Sequence, residues 1–528
     1  MPFFESKIRS NVLSSQGIAA TSHPLASLEA IEILKKGGNA IDAALAASIV
    51  LSVVEPNASG LGGDSFSIIS MKGKDPISYN GSGINPEKAN LDYFNSKKIK
   101  SIDKESPHSV TIPGAVNAWA EMHNDFGKLE FEKLFKKAIY LAKNGYNITE
   151  KVALDWEKNI NKLKKNNNTR RIFLKEDKSF KFSENYKNPA LGDTLLKISK
   201  KGAKEFYSGE IARDIVKSLN SLGGVHTLED FNRQKTIKDK TIFSKYKDIY
   251  IHQCPPNGPG ITVLLMMKMM EKLKIENYKP MSFERFHIEA ELTKFCYKIR
   301  EENIGDPNFI NIDFSKILSD KSVNEYVKKF SFTNCYDIGN LKIPAHPETT
   351  YLTVVDKDLN AISIINSICY SFGSGITTNN TGILLQNRGT NFRLENNHPN
   401  CIASFKRPLH TIIPGMIANN KKDIILSYGV MGGQFQPVGH THVLNNIFDY
   451  NMKIQEAIDF PRGFNYNNTY KLELGITHEI EKKLKKTGHN TEIINGYHGG
   501  GQAIKIDYKN GVLIGGSDSR KDGCAIGL

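Results

Sequence analysis

The sequence predicts an α+β fold in which the elements come in blocks: helices and strands first, a mostly helical middle, then strands to the end. Three observations carry this. The stretch "SHPLASLEAIEILKKGGNAIDAALAASIVLSVVEP" reads as two helices, the region from about residue 115 to 330 is mostly helical in pattern, and after Thr349 short alternating runs are broken by glycines and turns.

Taken in order, the first helix ends at Gly37-Gly38 and the second begins after Asn39. The second is so rich in alanine and β-branched residues that most of its sides must be buried. "NASGLGGDSFSIISMKGKDPISYNGSG" follows, a glycine-rich loop feeding a strand from Ser65 to Met71, a turn at Lys72 to Asp75 and a strand towards Tyr79. Small residues there let backbone approach backbone or ligand. The middle carries a lysine-rich hairpin region near Lys162 to Lys187 and the loop "CPPNGPG", Cys254 to Gly260, without an internal repeat. In "PETTYLTVVDKDLNAISIINS", Pro347 to Ser367, two strands flank the polar turn Asp356 to Asn360. The end of the chain supplies two more strands, around Lys509-Asn510-Gly511.

A length of 528 residues allows two or more domains or one large enzyme fold with insertions. Hydrophobic residues at 39% and charged residues at 24% exclude disorder on a large scale. The formal charge of +14 is spread over faces such as "EIEKKLKKTGHN", which reads as a solvated surface and not as a nucleic-acid groove. The excess does favour attraction of anionic substrates to a cleft. Cys254, Cys296, Cys335, Cys369, Cys401 and Cys524 form no CxxC pair and have no regular spacing, so the expectation is reduced thiols, no metal and no cofactor. No apolar run reaches signal-peptide or membrane-span length, which makes a cytoplasmic protein without a membrane partner the expectation.

His346-Pro347-Glu348 runs straight into Thr349-Thr350 with no cap, glycine or linker. Threonine is an ordinary strand residue. To act as a nucleophile its hydroxyl would need a base, and the α-amine of the same residue, with a pKa of about 8, suits that task. That amine exists only if the Glu348–Thr349 bond is cut.

"KGGNAIDAALAASIVLSVVEPNASGLGGDSF", "VTIPGAV", "PETTYLTVVDKDLNAISIINS", "SFGSG", "TGILLQNR" and "KRPLHTIIP" occur in the order and approximate spacing of one family. From about residue 16 to its C-terminus the chain resembles the γ-glutamyltranspeptidases. The resemblance implies a four-layer αββα sandwich of the N-terminal-nucleophile hydrolase type, with no cofactor. It implies a proenzyme that cuts itself into a large subunit, residues 1–348, and a small subunit, 349–528, which together form one αββα unit. Thr349 would be the nucleophile, Ser367 its hydroxyl partner, where the family usually has threonine, and Gly432 and Gly433 the oxyanion amides. His410-Thr411 fall on the serine pair that holds the substrate carboxylate, His410 in a substrate-contact or supporting role.

Four departures bear on substrate. The family arginine that grips the α-carboxylate falls on Ser82, a pocket asparagine on Cys369, a glutamine on Arg388, and the acidic partner of the substrate ammonium on Asn391. A γ-glutamyl ammonium would sit unpaired beside Arg388, whereas a simple carboxylate would pair with it. "LLQNRGTNFRLENNHPN", "KRPLHT" and "GGSDSRKDGCAIG" resemble the intracellular, oxamate amidohydrolase-like branch. The function so implied is hydrolysis of the amide of a small acid, oxamate-like or glutaryl-like, with water or an amine as acceptor. The alternatives are a true γ-glutamyltransferase or glutathione hydrolase, and an uncleaved metabolite-binding or scaffold protein. A homodimer of processed units is compatible with the sequence.

Overall fold

The computed structural model describes residues 9–337 and 349–528, so Glu348 and its bond to Thr349 lie outside the described residues. Two seven-stranded antiparallel sheets form the centre. The first runs, edge to edge, Val12–Ser14, Val512–Ser517, Gly500–Asp507, Ile424–Met431, Gly415–Asn419, Ile249–Gln253 and Ile242–Tyr246. The second runs Ala525–Gly527, Gly17–Thr21, Thr350–Asp356, Ala361–Ser367, Asp64–Ser70, Ile77–Gly81 and Ile237–Lys240. Each sheet takes strands from both sides of Thr349.

Three apolar layers make the chain an αββα sandwich. Phe66, Tyr351, Ile365, Met416, Met431 and Ile504 fill the space between the sheets. Leu352, Val354, Ile362 and Ile364 turn the other way, against the helix Ala40–Val54. Leu426, Tyr428 and Val430 meet the helices Gly260–Lys272, Phe283–Asn303 and Gln436–Phe448 on the opposite outer face. Successive side chains of a strand point to opposite faces, so Thr350–Asp356 is apolar on both and buried throughout.

Local chemistry sets the ends of the elements beside the site. Asn39 accepts the N–H groups of Ile41 and Asp42 while its own N–H donates to Asp42, a capping box that starts the buried helix. Asp356, at the hairpin turn, accepts the N–H groups of Asn360 and Ala40, both at 2.9 Å, and so fixes that helix to the central strand.

Several sequence expectations are corrected. The strand expected at Ser65–Met71 spans Asp64–Ser70, one residue earlier, and the next Ile77–Gly81. The middle region contains the strands Ile237–Lys240, Ile242–Tyr246 and Ile249–Gln253, of which the first two carry lysines and form edges of the sheets. The lysine-rich stretch from 162 to 187 holds the short helices Ile160–Leu163 and Asn167–Phe173 and a bridge between Lys175 and Lys178, and its one strand, Asn185–Tyr186, pairs outside the stretch with Tyr146–Asn147 where a local hairpin was expected. The strand-rich end contains the buried helix Gln436–Phe448, which its glycine, histidines and asparagines disguised. The six cysteines are unbridged. No helix among the described residues is long and apolar enough to cross a membrane.

Burial holds several histidines neutral: it lowers His226 and His410 to about 4 and His440 to about 3. An unfolded histidine takes up a proton below its ordinary value near 6.5, and these folded ones do not. The stability each contributes is therefore complete above pH 6.5 and is lost as pH falls towards 4, at about 1.4 kcal/mol per pH unit per histidine. Thermal unfolding followed at stepped pH should show the melting temperature dropping steeply below pH 6.5. A flat profile from pH 7 to 4.5 would mean that these rings protonate in place.

Candidate active site

Thr349 stands at the head of the central strand of the second sheet, 2% exposed. Thr350 pairs with Asn366, which brings Thr349 level with Ser367 at the end of the neighbouring strand. The Thr349 hydroxyl donates to Ser367 Oγ at 3.3 Å. Ser367 Oγ also receives the Cys369 N–H at 2.9 Å and Arg388 Nη2 at 3.1 Å. Three donors thus converge on one hydroxyl oxygen.

Contacts across the two sheets bring in the glycine pair. Thr353 Oγ1 lies 2.7 Å from Ser427 Oγ, and the Tyr351 ring covers Gly429 so closely that a Cβ there would lie 2.3 Å from it. The strand so aligned, Ile424–Met431, runs directly into Gly432 and Gly433. Gly432 and Gly433 have φ of 124° and 57°, values that favour glycine, and a Cβ on Gly432 would approach Gly499 Cα to 2.8 Å. They open the short turn Gly433–Phe435, and no side chain caps its amides.

Arg388 is fully buried at the start of the turn Arg388–Asn391. Besides Ser367 it reaches Thr411, with Nη1 donating to Oγ1 at 2.8 Å. Among the described residues its partners are hydroxyls, Nε has no acceptor, and it forms no salt bridge with Glu395 or any other carboxylate. A buried guanidinium in such a setting is short of negative charge.

One carboxylate that the sequence reading did not single out organises the surrounding loops. Asp64 Oδ1 accepts the N–H groups of Gly83 at 3.0 Å and Gly114 at 3.2 Å and Gln386 Nε2 at 2.9 Å. Its Oδ2 accepts His410 Nε2–H at 3.0 Å. The tautomer follows from the other ring nitrogen, Nδ1, which accepts the Ile412 N–H at 3.3 Å. Burial, then the neighbouring Arg388, lower His410 to about 4, so Asp64 and His410 form a hydrogen bond between a carboxylate and a neutral ring. With both ring nitrogens engaged, His410 supports the site and has none left for substrate. The signal in the sequence was an acidic residue opening an otherwise apolar strand, "GGDSFSII".

The remaining positions are placed as follows. Ser82 is buried, its Oγ accepting from Asn257 Nδ2 at 3.0 Å and its carbonyl from Arg407 Nε at 3.1 Å. It meets the hub through the adjacent Gly83. Cys369 is buried with φ of 79°, and burial raises its thiol, so its contribution to this cluster is the backbone N–H on Ser367. Asn391 is half-buried and spends its Nδ2 on the Leu409 carbonyl at 2.9 Å.

Because Ser367 Oγ joins the Thr349 hydroxyl, a loop amide and a guanidinium, Ser367→Ala is expected to slow both turnover and chain cleavage by about tenfold or more, while Ser367→Thr stays active. Timed denaturing gels and initial rates measure both. Wild-type rates in the alanine variant would remove this hydroxyl from the site.

An αββα sandwich with a buried threonine heading a central strand is the architecture of the N-terminal-nucleophile hydrolases. The family model described as gamma-glutamyltranspeptidase matches residues 26–528, and the chain belongs to that family of enzymes acting on amide bonds. It is 34% identical over 536 aligned residues to the glutathione hydrolase-like YwrD proenzyme of Bacillus subtilis, covering 98% of this chain and 99% of that one. It is 28% identical to the oxamate amidohydrolase proenzyme of Klebsiella pneumoniae, over 98% of this chain and 100% of the relative. Among solved structures, a cephalosporin acylase from Bacillus halodurans superposes with a TM-score of 0.93 at 31% identity, over 99% of this chain and 98% of that one. A Bacillus subtilis glutathione hydrolase proenzyme shares the same 28%, so identity does not select a substrate and the pocket must.

Proposed function

We propose that the chain is a self-processing threonine amidohydrolase that cleaves the amide of a small acid, with Thr349 as nucleophile and Arg388 as the carboxylate receptor. The observation that carries this reading is the buried Arg388 guanidinium, hydrogen-bonded only to Ser367 and Thr411 among the described residues and two hydrogen bonds from the Thr349 hydroxyl.

In processing, the Thr349 hydroxyl adds to the Glu348 carbonyl, the peptide C–N bond breaks to leave an ester and a free α-amine, and water hydrolyses the ester. Residues 1–348 and 349–528 then stay together because both sheets need both parts. In turnover the α-amine takes the hydroxyl proton as oxygen attacks the substrate carbonyl, then gives it to the departing ammonia or amine. The amides of Gly432 and Gly433 stabilise the oxyanion, and water releases the acid.

The position of Arg388 deepens the substrate assignment. In oxamate the carboxylate is bonded directly to the scissile carbonyl carbon, whereas in a γ-glutamyl group three methylene or methine carbons intervene. A cation so near the nucleophile suits the shorter acid, and Asn391 offers no charge to an ammonium. The test is ammonia or amine release by purified, processed protein across oxamate, malonamate, glutaramate and γ-glutamyl anilide. The expected order falls along that series. Preference for the γ-glutamyl anilide would replace this reading with a transpeptidase.

A further inference from the structure

Outside the catalytic cluster, a second group of chemistry-bearing side chains lies on the outer helical layer. His287 and Glu291 are one turn apart on the helix Phe283–Asn303, and both are buried together with His489 from the C-terminal part. The ligand atoms of these three residues lie within 4.8 Å of one another. His287 Nδ1 is 2.7 Å from His489 Nε2, and His489 Nε2 is 3.8 Å from Glu291 Oε1. The Cys335 thiol faces Glu291 and Lys294 and approaches the backbone at Gly488.

Three details go beyond a chance meeting of polar groups. His287 donates Nε2–H to the Ser331 carbonyl at 2.7 Å, which leaves the Nδ1 lone pair directed at the cluster. That is the arrangement by which backbone carbonyls orient metal-binding imidazoles. Glu291 has Oε2 fixed by the Tyr336 N–H at 2.5 Å, which turns Oε1 inward. Phe283, Phe330 and Tyr470 surround the two rings, and His489 Nδ1 is buried without a hydrogen-bond partner among the described residues.

We propose that His287 Nδ1, Glu291 Oε1, His489 Nε2 and Cys335 Sγ form a structural site for a zinc-class divalent cation. Two imidazoles, a carboxylate and a thiolate are a tetrahedral zinc donor set. Binding displaces the proton between the two rings, which moves to His489 Nδ1, and releases the Cys335 proton to solvent. The Lys294 ammonium, 2.8 Å from Glu291 Oε1 on a side chain 13% exposed, turns outward. The cysteine spacing test failed to anticipate this because only one ligand is a cysteine and the other three are far apart or hidden in an ordinary helix, "FERFHIEAEL". Three ligands precede Thr349 and one follows it, so the ion would clip the two parts together. That clause alone rests on the cleavage reading.

The experiment uses tag-free full-length protein, both wild type and uncut Thr349→Ala, stripped with chelator, equilibrated with micromolar zinc and desalted. Elemental analysis should find about one zinc per chain in each, and cobalt in its place should give intense tetrahedral visible bands with a thiolate charge-transfer band. His489→Ala and Glu291→Gln, checked for folding by circular dichroism, should lower retention about tenfold or more, and Cys335→Ser should lose only the charge-transfer band. Wild type retaining less than about a tenth of an equivalent, cobalt remaining octahedral, or undiminished binding in the His489 and Glu291 variants would overturn the site. A charge-transfer band persisting in Cys335→Ser would overturn the fourth ligand.

Discussion

A Thr349→Ala protein is expected to stay one uncut chain and to lose amide turnover by a factor of about 10⁴ or more, the effect of removing a catalytic nucleophile. The fold should survive. The change deletes a hydroxyl and a methyl at the end of a strand whose packing is carried by Tyr351, Leu352, Val354 and Val355. Thr349→Ser should still cut and turn over, because the hydroxyl and the new amine are both kept. Wild-type protein should give two bands on a denaturing gel and a single species in gel filtration, and the N-terminal sequence of the smaller band should begin TTYLTV. A smaller band beginning elsewhere, or full turnover by an intact chain, would discard the N-terminal nucleophile.

The second large effect is expected at Arg388. Replacing a buried guanidinium that pairs with a substrate carboxylate removes roughly 2 to 5 kcal/mol of transition-state binding, so Arg388→Gln should lower kcat/KM on short acid amides about thirtyfold or more. Glutamine keeps a donor for Ser367 or Thr411, which limits collapse of the cluster. Arg388→Lys should recover little, since one ammonium cannot reproduce the fork that spans both hydroxyls at 3.1 and 2.8 Å. γ-Glutamyl substrates should suffer less, because the lost cation also repels their ammonium. Equal losses on both substrate types would make Arg388 a structural residue, and no loss would remove it from the pocket.

The central hairpin was legible because alternation in a strand survives burial: TYLTVVD and AISIINS read as strands whatever covers them. The helix Ala40–Val54 was legible from alanine density and its Asn39 cap. What failed to show depended on contacts distant in sequence. The strands Ile237–Lys240 and Ile242–Tyr246 sit at sheet edges and keep the lysines of an exposed surface. The helix Gln436–Phe448 is formed by weak helix formers that tertiary packing holds in place. Asp64 acquires its four donors from Gly83, Gly114, Gln386 and His410, which no local pattern joins. The hydroxyls and the guanidinium were named from family motifs. Their hydrogen bonds, and the commitment of both His410 nitrogens, required the fold.

The last strand, Ala525–Gly527, pairs with Gly17–Thr21, the Leu528 N–H donates to the Gly17 carbonyl at 2.9 Å, and Arg9 Nη1 donates to Gly523 at 2.7 Å. The Arg9 side chain reaches Gly523 while Leu528 lies beside Ser14 and Gly17, so the two ends are separated by the length of the last strand, about 16 Å, a span that a flexible linker can cover. A circularly permuted gene that starts at Thr349, runs through Leu528 and the linker to Arg9, and ends at residue 337 would carry Thr349 as its first residue once the initiator methionine is trimmed. Such a chain would have its amine from synthesis and no peptide bond to break. Maturation and catalysis, which on the proposed reading share the Thr349 hydroxyl, would then be open to separate mutation.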